Sequence, residues 1–301
     1  MADAPQPTRS GSVPRIWLRA ARPATLLLSI SPVLAGTAVA VHDGAHRPLA
    51  AVGALVVAVA MQLGVNYAND YSDFVRGADT PRRVGPVRAA SSGVIPPSQV
   101  RLAALACFAV AGLAGVALSL TTDWRLLIAG ALAVAAGWLY TGGPLPYGYL
   151  GLGEVFVFVF FGLLATVGTT YVQELRAPVP AWLIGGAMGA LATAVLDINN
   201  LRDVETDAEA GKRTLAVRIG RERTRWLVAV LYVAACVLPL LAAAFAGAPT
   251  LAVLPLATAP FLLAVHRATA SAEPPALIGA LKRAAQLELW FALLWALGLA
   301  L

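Results

Sequence analysis

Nine apolar stretches dominate the chain, over residues 24–41, 49–69, 101–120, 125–141, 151–172, 181–201, 226–246, 249–265 and 285–301. Each approaches the roughly 20 apolar residues a helix needs to cross a bilayer. Most are rich in Ala and Gly, which suits close helix packing in lipid. Backbone groups in hydrocarbon must bond within their own segment, so the stretches predict helices and not open strands. The expected fold is an all-α integral membrane protein with nine transmembrane helices around a central cavity. Residues 1–14 are polar and rich in Pro and Ser, without an apolar run. They predict a disordered cytoplasmic tail, not a signal peptide. Residues 15–301 then form a single transmembrane domain.

Composition agrees with the pattern. The chain has 301 residues, 59 % of them hydrophobic and 13 % charged, with a mean hydropathy of +0.74. A soluble domain carries about 25 % charge, so an ordinary water-soluble enzyme and a disordered chain are both excluded. The net charge of +6 is distributed by topology. With the N-terminus inside and nine alternating spans, 19 of the 22 Lys and Arg residues fall inside, leaving Arg47, Arg125 and Arg176 outside. That asymmetry follows the positive-inside rule and argues against nucleic-acid binding. The expected location is the cell membrane, with the N-terminus and two long loops, about 70–100 and 202–225, on the cytoplasmic side. Cys107 and Cys236 stand far apart in apolar runs and read as core residues.

Two acidic clusters stand out at the cytoplasmic ends of the second and sixth stretches. The first is Asn66-Tyr-Ala-Asn69-Asp70-Tyr-Ser-Asp73, followed by Asp79; the second is Asn199-Asn200-Leu-Arg-Asp203-Val-Glu-Thr-Asp207. On a helix, Asn66, Asp70 and Asp73 share one face, as do Asn199, Asp203 and Asp207, while Glu205 points elsewhere. The matching clusters suggest two related four-helix units plus one extra helix. Ionised groups at membrane depth are expensive and persist only with a cation among them. Asp and Asn oxygens suit Mg2+, which takes one or two carboxylates and shares substrate phosphates. Arg82, Arg83 and Arg88 after the first cluster, and Lys212 and Arg213 after the second, supply counter-charge for a diphosphate. Gly211-Lys212-Arg213-Thr214 misses two of the four fixed positions of a phosphate-binding loop: Thr206 replaces its glycine and Arg213 its Ser or Thr. Glu154 opens the fifth stretch at the same boundary, ahead of Phe156, Phe158, Phe160 and Phe161, which suit an apolar groove for a lipid tail or a carbocation. Repeated halves with charges also suit a transporter, although transporter sites usually lie near the midplane and these acids lie at one face.

Four blocks carry a resemblance to a known family: Arg22-Pro23-Ala24-Thr25-Leu26, NYANDYSDFVRGADTPRRVGPVRAASSGVI over 66–95, YTGGPLPYGYLGLGEVFVFVFFG over 140–162 and NNLRDVETDAEAGKRTLAVRIG over 199–220. The sequence resembles the UbiA superfamily of intramembrane aromatic prenyltransferases, and within it the 1,4-dihydroxy-2-naphthoate polyprenyltransferase branch. The resemblance implies transfer of a polyprenyl group from a Mg2+-bound polyprenyl diphosphate to the naphthoate, releasing CO2 and diphosphate and giving demethylmenaquinone. An acceptor of another aromatic or sugar-phosphate type stays open. It implies that Asn66, Asp70, Asp73, Asp203 and Asp207 hold metal, with Asp70, Asp73, Asp203 and Asp207 catalytic. Asn69, Asn200, Lys212, Arg82, Arg83 and Arg88 then bind diphosphate, and Arg22, Tyr140 and Glu154 the acceptor. The superfamily pattern has a further acid four residues after Asp73; that position is Gly77 here.

Overall fold

A computed structural model describes residues 12–45, 47–78 and 88–301. The described residues are helical with short connections and contain no strand. A short helix α1 (Val13–Ala20) leads into α2 (Pro23–His42), α3 (Pro48–Val75), α4 (Pro97–Thr121) and α5 (Arg125–Leu139). Then follow α6 (Gly153–Glu174), α7 (Val179–Glu209), α8 (Leu215–Phe245), α9 (Thr250–Ala268) and α10 (Pro274–Ala300). Helices α2, α3, α4, α6, α7, α8 and α9 are long and apolar enough to cross a membrane. Two of the nine expected stretches fall outside that set. Helix α5 has 15 residues, and α10 carries Lys282, Arg283 and Glu288. Val13 and Pro14 open α1 instead of ending a tail; residues 1–11, Asp79, Arg82 and Arg83 lie outside the described residues.

Proline marks where helices begin. Pro23, Pro48, Pro97 and Pro274 each occupy the first helical position, where the missing N–H costs nothing and φ is already helical. The second long loop expected over 202–225 is mostly helix. Helix α7 continues to Glu209 and α8 starts at Leu215, so the acidic residues keep helical spacing to their last member.

The acid-bearing helix of each half, α3 or α7, packs most extensively against the helix after it. Helix α7 is the central post: 72 % of its apolar stretch is buried, against 22 % for α3. Small residues make this possible. Gly162 sits in a π-helical turn, Phe158–Leu164, inside α6, and a Cβ there would collide with the Gly189 backbone of α7. Two backbones in contact gain dispersion that lipid cannot match. The main core joins α2, α7, α8 and α10 through residues such as Ile184, Met188, Leu191, Phe291 and Trp295. A smaller cluster of Ile16, Ala20, Ala89, Ala90, Ile95 and Val100 fastens α1 and the 89–95 segment against Tyr67 and Tyr71 of α3.

Candidate active site

Both acidic helix ends face one chamber of about 730 Å3. Its lining includes Asn66, Asn69 and Asp73 from α3, and Asn199, Asn200, Asp203 and Asp207 from α7. Helix geometry explains which residues point in. At about 100° per residue, Asn66, Asn69 and Asp73 fall within a narrow sector, and Asp70 lies to one side of it.

Asp73 is the most connected acid. Its Oδ2 accepts from Arg88 Nη2 at 2.6 Å. Its Oδ1 accepts from Lys212 Nζ at 2.8 Å and from the Tyr149 hydroxyl at 2.7 Å. These partners come from three separate segments, so Asp73 ties the two halves together at the chamber mouth. Lys212 also lies 4.9 Å from the centre of the Tyr149 ring, within cation–π range. Burial, reinforced by the Asp73 carboxylate, pushes the Tyr149 hydroxyl above its ordinary range. It stays a proton donor. Arg213 N donates to Tyr149 O at 3.0 Å, joining the 210–214 connection to the 147–150 turn.

The second rim is built locally. Asp203 accepts two hydrogen bonds from its neighbour Arg202, one of them 2.8 Å from Nε to Oδ1. Glu205 points away, as its spacing predicts, and pairs with Arg221 at 2.8 Å. Asn200 Nδ2 donates to Glu154 Oε1 at 3.1 Å. Glu154 is buried behind Asn200 and does not line the chamber; its expected contact with an acceptor is replaced by this one. The fully buried Asp197 lies beside it, and neither of its carboxyl oxygens has a hydrogen-bond partner among the described residues.

The amides are sorted by what the protein already uses. Asn66 Nδ2 donates to Ala21 O at 2.9 Å and its oxygen accepts from Gln62 at 3.2 Å. Asn69 Oδ1 accepts from the Thr141 hydroxyl at 2.7 Å, which leaves its N–H groups for other partners. Asn200 has spent one of its two N–H groups on Glu154, which leaves the other N–H and its oxygen.

Asp70 also departs from expectation. It is fully buried and absent from the chamber wall. Its Oδ2 accepts from Ala89 N at 2.8 Å and its Oδ1 from Ala90 N at 3.1 Å.

Below the rims the chamber turns aromatic and then aliphatic. Tyr147 stacks on Phe156 with ring centres 3.9 Å apart, Phe156 on Phe160 at 5.9 Å, and Tyr140 meets Tyr147 edge-on at 5.4 Å. Met61, Leu118, Leu164 and Val172 line the chamber deeper along the bundle. Phe158 instead packs on Gly189. Arg22 reaches the wall from the α1–α2 junction. Its φ of 51° is a left-handed conformation that costs a non-glycine residue energy, and Thr25 holds its carbonyl through both N–H and hydroxyl.

The sequence alone missed Tyr149, Thr141, Arg202 and Lys282 as chamber residues. Arg202 sits inside the second cluster and Tyr149 inside a quoted block, but only folding brings Tyr149 to Asp73, 76 residues away.

Among the described residues, no three His, Cys, Asp or Glu side chains form a ready metal cage. The chamber instead offers separate carboxylate and amide oxygens. That donor set fits the Mg2+ mode of one or two protein ligands completed by substrate phosphates, not an all-protein site.

Residues 29–277 match the model of the UbiA prenyltransferase family. A Mycobacterium tuberculosis protein named 1,4-dihydroxy-2-naphthoate octaprenyltransferase is 51 % identical over 211 residues, covering 70 % of this chain and 72 % of its own. A Bacillus subtilis protein of the same name is 32 % identical over 297 residues, covering 98 % and 94 %. The fold is similar to that of a UbiA homolog from Archaeoglobus fulgidus bound to DMAPP and Mg2+. The TM-score there is 0.66 at 18 % identity, over 95 % of this chain and 99 % of that one. A UbiA homolog from Aeropyrum pernix K1 gives 0.70 at 16 % identity, over 91 % and 96 %. Matched across most of its length, with paired acidic helix ends on one chamber, the chain belongs to the UbiA prenyltransferase family.

Proposed function

We propose that the chain transfers a polyprenyl group from a polyprenyl diphosphate to 1,4-dihydroxy-2-naphthoate, with loss of diphosphate and CO2, giving the demethylmenaquinone skeleton. One observation carries the reading: both acidic rims open onto one chamber, Lys212 spans them, and an aromatic column lies directly beneath. The named relatives supply the acceptor.

Asp73, Asp203 and Asp207, with the oxygens of Asn66 and Asn200, would hold Mg2+, one or two of these ligands to each ion. The ion supplies Lewis-acid neutralisation of the diphosphate charge. Lys212 and Arg88 act on the same charge as fixed cations. Asn69, whose carbonyl accepts from Thr141, directs its N–H groups to phosphate oxygen, and the Asn66 carbonyl, which accepts from Gln62, keeps its second lone pair for the cation. This reading gives the Asn200 oxygen to the cation and leaves its second N–H for the diphosphate, because Glu154 takes only one of its two amide N–H groups. Tyr149, kept protonated, holds Asp73 in place.

As the allylic C–O bond lengthens, positive charge develops beside Tyr147, Phe156 and Phe160, whose π faces stabilise it. The apolar chamber wall excludes water that would quench that charge. The electron-rich naphthoate ring attacks, and CO2 leaves from the attacked carbon, so no strong protein base is needed. Arg22 and Tyr140 orient the acceptor, the arginine against its carboxylate. The nine-span topology, with the rims and the N-terminus on the cytoplasmic side of the cell membrane, places the tail in lipid and the diphosphate in water. Residues 15–301 form the single transmembrane domain.

The test is product identification by mass spectrometry. Purified protein in lipid nanodiscs is given naphthoate, 4-hydroxybenzoate or homogentisate with polyprenyl diphosphates and Mg2+. Prenylated, decarboxylated naphthoate, abolished by EDTA and restored by Mg2+, is the expected result. Product from another acceptor alone refutes the reading.

A further inference from the structure

Asp70 occupies a motif position yet faces away from the chamber. Both of its oxygens accept backbone N–H groups, from Ala89 and Ala90, at the start of the short helical turn Ala90–Ser92. Ala89 and Ala90 are themselves buried against Ile16, Ala20 and Val100. The turn is closed from its own side by the Ser92 hydroxyl, which donates to Ala89 O at 2.6 Å. The residue immediately before this anchored pair is Arg88, which lines the chamber and meets Asp73 at 2.6 Å. Two carboxylates one helical turn apart on α3 therefore grip one segment: Asp70 takes its backbone, Asp73 its side chain.

The geometry points to Asp70 as a positioning residue that sets Arg88 in the chamber through the 89–90 backbone, and not as a ligand to the cation. Two buried N–H groups lose their acceptor if this carboxylate turns toward the chamber, and a buried donor left without a partner is costly. Its neighbour Asp73 has no backbone donors to release. Charge fits as well. A carboxylate facing two peptide N–H dipoles is stabilised where it is, without any need for a metal. A 1 Å displacement of Arg88 suffices to weaken its hold on a diphosphate. This inference rests on the prenyl-transfer reading above.

The full chain in nanodiscs is assayed as wild type, Asp70→Asn, Arg88→Ala and the double variant, varying prenyl diphosphate and Mg2+. Asp70→Asn is expected to raise KM for prenyl diphosphate by about tenfold or more, with half-saturating Mg2+ unchanged. The double variant is expected to match Arg88→Ala within about twofold, because the two residues act as one unit. Losses that multiply, a raised Mg2+ requirement in Asp70→Asn, or wild-type kinetics in that variant overturn the assignment. Hydrogen exchange on the wild type needs no substitution. The Ala89 and Ala90 amides are expected to stay protected when Mg2+ and an unreactive thiolodiphosphate analogue are added; loss of protection overturns the assignment. Wild-type protein that makes no product refutes the functional reading instead, and the exchange result still judges Asp70.

Discussion

The two acidic rims share a motif and differ in how they are held. In the first half, Asp70 and Asp73 draw in the 88–90 segment, the 147–150 turn and the 210–214 connection. In the second half, Asp203 bonds to the residue beside it, and its helix needs no loop to fix it because α7 is the buried post of the bundle. A rim on a peripheral helix must be braced by contacts from elsewhere in the chain. A rim on a central helix is braced by packing. Similar sequence motifs thus carry different mechanical burdens, and the chamber has one assembled wall and one built-in wall.

The comparison breaks most easily at the carboxylates. Asp73→Asn and Asp203→Asn should each lower turnover by roughly 10^3-fold with Mg2+ present, since fixed charge at the developing diphosphate dominates such sites. Unequal losses, read by steady-state kinetics, would show that one wall alone carries the chemistry. The next effect is on the bridge between walls. Lys212→Met should raise KM for prenyl diphosphate about 10- to 30-fold, the equivalent of a charge-assisted contact of about 1.5–2 kcal/mol. An unchanged KM would confine Lys212 to a structural tie.

Packing distinguishes the halves more quietly. Gly162→Ala forces α6 off the Gly189 backbone and should destabilise by about 1–3 kcal/mol. Gly112→Ala on α4 meets nothing within 4 Å and should be neutral or slightly stabilising, because Ala favours helix by about 0.8–1 kcal/mol over Gly. Thermal unfolding in nanodiscs compares the pair, and equal shifts would refute the central-post description. The smallest change is expected at Glu205→Gln. Its pairing with Arg221 is solvent-exposed, and exposed ion pairs contribute about 0–1 kcal/mol. Turnover should stay at the wild-type value; a large loss would place Glu205 in the second rim after all.

Much of this was legible in the sequence because its physical cause is local. Apolar run length places helices on their own, whatever they pack against. Asn199, Asp203 and Asp207 share a face because all three belong to one helix, and Glu205 is excluded by the same arithmetic. Where that arithmetic is marginal, it failed. Asp70 lies near the edge of the sector defined by Asn66, Asn69 and Asp73, and the deciding influence is a pair of backbone N–H groups 19 and 20 residues further along. Glu154 stands at the same boundary as the acidic clusters, but the amide of Asn200, 46 residues away, takes its carboxylate.

By itself, then, the chain determined its apolar helices and the chemical type of its two acidic ends, since each follows from residues within a few turns of one another. Only the tertiary structure decided which oxygens face the chamber, that Tyr149 and Lys212 converge on Asp73, and that Asp70 is spent on a neighbouring backbone. Those outcomes depend on groups tens to more than a hundred residues apart, and a hydrogen bond forms only where packing brings its two ends within about 3 Å.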